Sequence, residues 1–359
     1  MQKPFNNRQP FQDMMNSEVK RYSYLIENKI TRYLCLILVI LVCGSCLGKE
    51  KTSNEVAYDD LFSGIRKNSI KKLELNWDYI EERVKDSIKV FQSKKDFEKA
   101  IQFTLRLIND RHSVFFESKS HNPFLAKTLP IPEVESKIVG NNVGYLKIPG
   151  FAANDSISLL YSIKIRNTLM KLDQSCDLSG WIIDLRGNYG GKVAMFPLGI
   201  SPLLKDSNLC YTVDNKGNFE MQKCVKGSYF LGTKKIATIP EGIALVNKDK
   251  KIAVLIDNFT ASCGEFITLA LKNNPDCRTF GLQTHGATSF LTTVEIKHES
   301  ELYKSQLHLA FQNWANLNKN IIVGKLTPDV ECKSIECMDS AIKWIENSPS
   351  PVVINRPAN

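Results

Sequence analysis

Histidine and tryptophan are scarce in this sequence, with five and four residues in 359. The histidines are His112, His121, His285, His298 and His308, and no two fall in an H-E-x-x-H pattern. That removes the zinc-hydrolase motif, and neither a metal nor another cofactor is expected. No run of Lys and Arg interleaved with aromatics occurs, which argues against nucleic acid as a partner. Long apolar runs are missing too. Tyr33–Cys43 is an uncharged apolar run of eleven residues, whereas a bilayer span takes about 20. What is present is ordinary for a globular chain: 43% hydrophobic and 24% charged residues. Those proportions exclude disorder, collagen and a long coiled coil.

The short apolar run has a context of its own. Lys20, Arg21, Lys29 and Arg32 precede it, and Gly44, Ser45 and Cys46 follow it. A basic region, a short apolar core and small residues describe an export signal. The ending Cys43-Gly44-Ser45-Cys46 resembles a bacterial lipobox, although Cys43 stands where leucine is usual. That resemblance implies a signal over residues 1–46 and lipidation of Cys46. It also implies a protein lipid-anchored to the membrane of a bacterial cell envelope, periplasmic or surface-exposed. The signal holds six Lys and Arg and three Asp and Glu. The net charge of +9 (47 against 38) therefore falls to +6 (41 against 35) in the remainder, a solvated surface rather than a binding patch.

Residues 47–57 are polar and read as a linker, and residues 58–120 read as helical. Trp77, Ile80, Val84 and Ile88 form one apolar stripe, and Phe97, Ile101, Leu105 and Ile108 form another. Pro123, Pro130 and Pro132 mark residues 121–140 as a crossing loop. Val143–Ile148, Trp181–Leu185 and Ile252–Ile256 read as strands, the last two of the buried type. Helices are expected over 156–172, capped by Asp155 or Ser156, and from Gly264 to Lys272. Cys210–Cys224 reads as a hairpin turning at Asn215-Lys216-Gly217. Strands alternating with helices argue for an α/β core.

Four segments carry candidate chemistry. Thr260-Ala261-Ser262-Cys263-Gly264-Glu265 lies between a buried strand and a helix. A serine at such a turn can project its hydroxyl beside helix N-terminal N–H groups, placing a nucleophile next to oxyanion donors. Ser262-x-x-Glu265 is equally a capping box, and this segment taken by itself favours the cap. Asp184-Leu185-Arg186-Gly187-Asn188-Tyr189-Gly190-Gly191 follows another buried strand. Its glycines permit close backbone approach and a second oxyanion donor, or a plain tight turn. Asp110-Arg111-His112-Ser113 ends a helix, and His112 suits a general base near neutral pH. Gly281-Leu282-Gln283-Thr284-His285-Gly286-Ala287 offers His285 as a rival base.

In this order, and with V-G-Y-L-K-I (143–148) and T-P-D-V (327–330), the segments resemble the tail-specific, or C-terminal processing, serine peptidases. The resemblance spans about residues 60–345. It implies an α/β fold with a crotonase-like (ClpP/crotonase) core and an N-terminal helical subdomain. The implied division is residues 58–120 helical, 121–345 catalytic core and 346–359 a C-terminal tail. The family's processing branch uses a lysine where Ala287 stands, and only about 30 residues separate Ser113 from Val143, too few for its PDZ module. The branch similar to the tricorn core takes its base from a histidine at the position of His112. The resemblance thus implies Ser262 as nucleophile and His112 as base, with Cys263 and Gly190 or Gly191 N–H groups as the oxyanion hole. Ser113, Glu331 and Glu295 are the candidates for orienting or tuning the histidine. A peptide or protein substrate follows, with an inactive peptide-binding lipoprotein as the alternative.

Ten cysteines complete the reading. Cys35, Cys43 and Cys46 fall in the signal. Seven others enter an oxidising compartment, so at least one stays unpaired, expected to be Cys263. Cys210–Cys224 and Cys332–Cys337 are the expected bridges, with Cys176–Cys277 a weaker third.

Overall fold

The central sheet is built from runs that are apolar on both faces. Ile183 and Val254 point into one hydrophobic cluster, while their neighbours Ile182, Ala253 and Leu255 point into another. A strand covered on both faces reads as a continuous apolar run, as these do. The computed structural model describes residues 28–29 and 51–347, apart from 89–90, 119–120, 242–244, 248, 295–304 and 334. Nearly all of the expected signal, including Cys46, together with Glu295 and most of the C-terminal tail, lies outside the described residues. The chain divides into two units at Thr52, and the second is described here. Among the described residues no helix is long and apolar enough to cross a membrane.

Three helices open the unit: α1 (Ser53–Asn68), α2 (Trp77–Ser87) and α3 (Lys94–Ile108). The expected linker therefore ends five residues early. Its polar Ser53-Asn54-Glu55 is the first turn of α1, whose Ala57, Tyr58, Leu61, Phe62 and Ile65 face inward. Ser93 and Asp96 form a capping box at α3, and Asn109 closes it in a left-handed conformation, φ 49°. The stripes on α2 and α3 pack with α1 against Val294, Leu307 and Leu309. The stretch read as helical to residue 120 ends in a strand instead, β1 (Val114–Phe116).

The expected crossing loop holds a short 3-10 turn at Pro123–Leu125 and an edge strand, β2 (Glu135–Val139). β2 is almost wholly exposed and lacks apolar alternation, so no sequence pattern announced it. It pairs antiparallel with β3 (Val143–Lys147). After helix α4 (Asp155–Asp173) come β4 (Gly180–Asp184) and helix α5 (Met195–Ile200). Asn154 caps α4 rather than Asp155 or Ser156, accepting from the Ile157 N–H at 2.9 Å. A meander follows: β5 (Asn208–Val213), β6 (Phe219–Val225), β7 (Ser228–Leu231) and β8 (Lys234–Thr238). Then come β9 (Lys251–Ile256), α6 (Cys263–Leu271), β10 (Cys277–Gly281), β11 (Ser289–Val294) and β12 (Gln306–Ala315). β13 (Ile321–Ile322), β14 (Val330–Glu331) and α7 (Ile335–Glu346) complete the order.

Two sheets result. One has the order β14-β10-β9-β4-β3-β2, parallel except for β2; the other runs β1-β12-β5-β6-β7-β8, with β11 and β13 also on β12. In the first sheet β4 and β9 are neighbours. The loops that leave their carboxyl ends therefore lie side by side, the usual place for a site on a parallel sheet.

Cys332 and Cys337 are bonded, joining the chain after β14 to α7. The other two expected bridges are absent. Cys210, Cys224, Cys176 and Cys277 carry free thiols. In the hairpin, Cys210 lies opposite Gln222, while Cys224 lies beside Tyr229 and its thiol donates to the Pro197 carbonyl. The register therefore keeps these two sulfurs off a common pair.

Candidate active site

Ser262 ends the loop after β9, with φ 51° and ψ −120°. A non-glycine residue in that region is strained, and such strain persists where surrounding contacts over-determine it. The contacts are visible. The Ser262 N–H donates to the Glu265 carboxylate at 2.9 Å, which supplies one half of the anticipated capping pattern. Glu265 is fully buried and also accepts from the Gly286 N–H at 2.8 Å and from the Thr284 hydroxyl. Burial raises its carboxyl above the ordinary value, and these hydrogen bonds oppose the shift. One carboxylate thus ties the serine turn to the 284–286 turn.

The β4 loop is locked against the serine turn by Asn188. Its carbonyl accepts from the Ala261 N–H at 2.8 Å and its side-chain nitrogen donates to the Ile148 carbonyl at 2.9 Å. Its side-chain oxygen accepts from the Gly190 N–H at 2.9 Å. Asp257 adds a second clasp, accepting from the Gly187 and Thr260 N–H groups. A Cβ on Gly190 (φ 98°) would lie 2.8 Å from the Ser262 Cβ and 2.9 Å from the Cys263 nitrogen. The approach demands glycine.

His112 reaches the same point from the end of α3. Its loop is shaped by Asp110, which accepts from the His112 and Ser113 N–H groups at 3.0 and 2.8 Å. His112 Nε2 lies 2.9 Å from Ser262 Oγ, and Nδ1 lies 2.8 Å from Ser289 Oγ. For Nε2 to accept the Ser262 proton, Nδ1 must carry its hydrogen and donate to Ser289. Burial pushes the imidazole from 6.5 down to about 4; Asp110 opposes this and His285 adds to it. His112 is therefore neutral, and able to accept a proton, across the physiological range.

Of the residues named for orienting the histidine, the Ser113 and Glu331 side chains make no hydrogen bond to its ring. The Ser113 hydroxyl donates to Asp110 at 2.5 Å and accepts from the Ala310 N–H, facing away along the loop that Asp110 folds. Glu331 is exposed on β14, in register with Gly281. Glu295 lies outside the described residues. Ser289, at the start of β11, occupies the place instead. His285 is exposed and its imidazole makes no hydrogen bond to Ser262; its backbone N–H donates to the Thr260 carbonyl.

Of the expected oxyanion donors, the Gly190 N–H is taken by Asn188. The Cys263 and Gly191 N–H groups have no hydrogen-bond partner among the described residues. The Cys263 thiol is unpaired and donates to the Gly191 carbonyl at 3.0 Å, holding the two loops together. Burial pushes this thiol up to about 12, which makes it a packed, protonated group rather than a nucleophile. Ser262, His112, Ser289, Cys263 and Gly191 all border a cavity of about 490 Å³. No three His, Cys, Asp or Glu side chains gather as a metal site among the described residues.

Residues 142–332 match peptidase family S41. The nisin-resistance protein of Lactococcus lactis is 30% identical over 281 residues, covering 74% of this chain and 80% of that protein. A carboxyl-terminal-processing protease of Synechocystis is 29% identical over 148 residues, covering 41% of this chain and 29% of that protein. Among solved structures, a lipoprotein from Streptococcus agalactiae superposes with a TM-score of 0.63 at 20% identity, over 82% of this chain and 97% of that one. The photosystem II D1 C-terminal processing protease gives 0.53 at 12% identity, over 79% and 94%.

Proposed function

Because the chain belongs to peptidase family S41, the tail-specific serine peptidases, we propose that it hydrolyses peptide bonds through an acyl-enzyme on Ser262. The observation that carries this is the hydrogen-bonded chain Ser262–His112–Ser289. Neutral His112 takes the Ser262 proton at Nε2 as Oγ attacks the peptide carbonyl carbon. Ser289 holds the imidazole in the tautomer that leaves Nε2 free and accepts from Nδ1–H as positive charge develops. The Cys263 and Gly191 N–H groups receive the oxyanion, each worth roughly 3–4 kcal/mol by analogy with other acyl-transfer sites. Collapse breaks the C–N bond, and His112 returns the proton to the leaving amine. A water, deprotonated by the same imidazole, then releases the acyl group.

On this reading the core is crotonase-like behind a helical N-terminal subdomain. The protein is a bacterial lipoprotein tethered through Cys46, and its substrates are peptides or proteins in the cell envelope. The inactive binder has no need of a strained serine within hydrogen-bond reach of a neutral histidine. The test is hydrolysis of a mixed peptide library by wild type, Ser262→Ala, His112→Ala and His285→Ala. Loss in the first two variants and retention in the third is expected. Loss in His285→Ala with retention in His112→Ala overturns the assignment of the base.

A further inference from the structure

The two N–H groups assigned to the oxyanion come from different loops. Gly191 lies in the loop after β4, and Cys263 opens α6 directly after the nucleophile. Both donors must converge on one point, so their separation has to be fixed. That requirement rests on the acyl-enzyme reading above. Asn188 and Asp257 join the two loops upstream of Gly191, the first accepting from the Ala261 N–H and the second from the Gly187 and Thr260 N–H groups. Gly191 itself is held from two sides. On one side lies Phe151, its partner in an isolated parallel bridge. The Phe151 N–H donates to the Gly190 carbonyl at 2.8 Å. In the planar trans peptide joining Gly190 to Gly191, the Gly191 N–H therefore points the opposite way, off Phe151.

On the other side stands a single group. The Cys263 thiol donates to the Gly191 carbonyl at 3.0 Å, and among the described residues no other hydrogen bond joins the serine turn to Gly191. The residue that carries this thiol is also the one whose backbone N–H is the second oxyanion donor. The sulfur thus ties one donor residue directly to the other. Burial keeps the thiol protonated, so it stays a hydrogen-bond donor across the physiological range. We propose that the Cys263 side chain is a positioning group for the reaction: its thiol clamps Gly191 and sets the spacing of the two oxyanion N–H groups. A misplacement of about 1 Å at a reacting centre costs up to about a hundredfold in rate.

Three substitutions in the full chain separate the bond from mere packing. Cys263→Ser keeps a donor on a shorter bond, Cys263→Val fills the space without a donor, and Cys263→Ala removes both. In the valine and alanine variants kcat is expected to fall about tenfold to a hundredfold with KM changed less than about twofold, and in the serine variant to stay within about threefold of wild type. The direct readout uses peptidyl trifluoromethyl ketones ending in alanine, leucine, phenylalanine or lysine. Ser262 Oγ bonds to the ketone carbon, His112 takes the hydroxyl proton, and the ketone oxygen becomes an oxyanion. Its titration is followed by ¹⁹F NMR. A well-formed hole holds this oxygen ionised to lower pH, so its pKa is expected to rise by about one unit in the valine and alanine variants and by less in the serine variant. Wild-type behaviour in Cys263→Val with impairment in Cys263→Ser marks a packing role and overturns the clamp, and this pair decides the matter even where Cys263→Ala fails to fold. Wild-type kcat and titration in all three variants overturn the clamp as well, while the hemiketal on Ser262 keeps the nucleophile. Failure of every ketone to form a hemiketal with wild type overturns both.

Discussion

Ser289 Oγ lies 2.8 Å from His112 Nδ1, although 177 residues separate the two in the chain. β11 pairs with β12 from Ser289 to Val294, and β12 pairs with β1, the strand that follows the histidine loop. Three strands therefore fix the distance between a hydroxyl and an imidazole. On the proposed mechanism Ser289 is a positioning residue. Ser289→Ala is expected to lower kcat roughly tenfold to a hundredfold with little change in KM, and Ser289→Thr to restore part of it. The loss is smaller than for a triad carboxylate because a hydroxyl stabilises an imidazolium less than a charge does. Steady-state kinetics of the two variants check it. Equal kcat in Ser289→Ala and wild type contradicts the role.

The depressed basicity of His112 sets a pH dependence. Activity needs the neutral imidazole, so the acid limb of kcat/KM is expected near pH 4, below the ordinary 6.5. A limb at 6.5 contradicts the buried geometry.

The same shift bears on stability. Between about pH 6.5 and 4 the unfolded chain binds a proton at this residue that the folded chain does not. The contribution of His112 to stability is therefore fully present above 6.5 and declines as pH falls through that window. In His112→Gln this component vanishes, and the stability curve is expected to flatten relative to wild type. Urea titrations at pH 7 and pH 4.5 measure the difference.

Two glycines with positive φ separate function from turn chemistry. Gly190→Ala forces a methyl toward Ser262 and Cys263. It is expected to abolish most activity and to cost roughly 1–2 kcal/mol or more. Gly217, in the hairpin between β5 and β6, has φ 81° and nothing within 4 Å of an added Cβ. Gly217→Ala is expected to cost about 1 kcal/mol and to leave kcat unchanged. Thermal melts and kinetics on both variants distinguish the cases.

Glu265→Ala strands three donors, the half-buried Ser262 N–H and the buried Gly286 N–H and Thr284 hydroxyl. A loss of roughly 3 kcal/mol or more is expected, with activity falling as the serine turn relaxes. Chemical denaturation gives the number.

Local patterns made much of this legible. Ser262, His112 and the glycine loop were visible because each stands at the end of an apolar strand or helix. The buried strands were visible because both their faces are apolar. Ser289 was not, since Thr288-Ser289-Phe290 carries no local signature and its place depends on the β11–β12 register. Gly190 could not be told from Gly191 because only the fold shows Asn188 occupying one N–H. The Cys210–Cys224 bridge failed for a related reason. A hairpin sequence gives the turn, but the register running unbroken from Val213–Phe219 sets Gln222, not Cys224, opposite Cys210. Edge strand β2 carries exposed charge in place of an apolar face, which is how an edge avoids pairing with other chains.

The most direct test of the account is intact-mass analysis and peptide mapping after treatment with a fluorophosphonate. Wild type is expected to gain one adduct, mapped to Ser262, and His112→Ala is expected to gain it at least a hundredfold more slowly. An adduct on Cys263, no adduct at all, or an undiminished rate in His112→Ala would contradict a His112-activated Ser262 nucleophile.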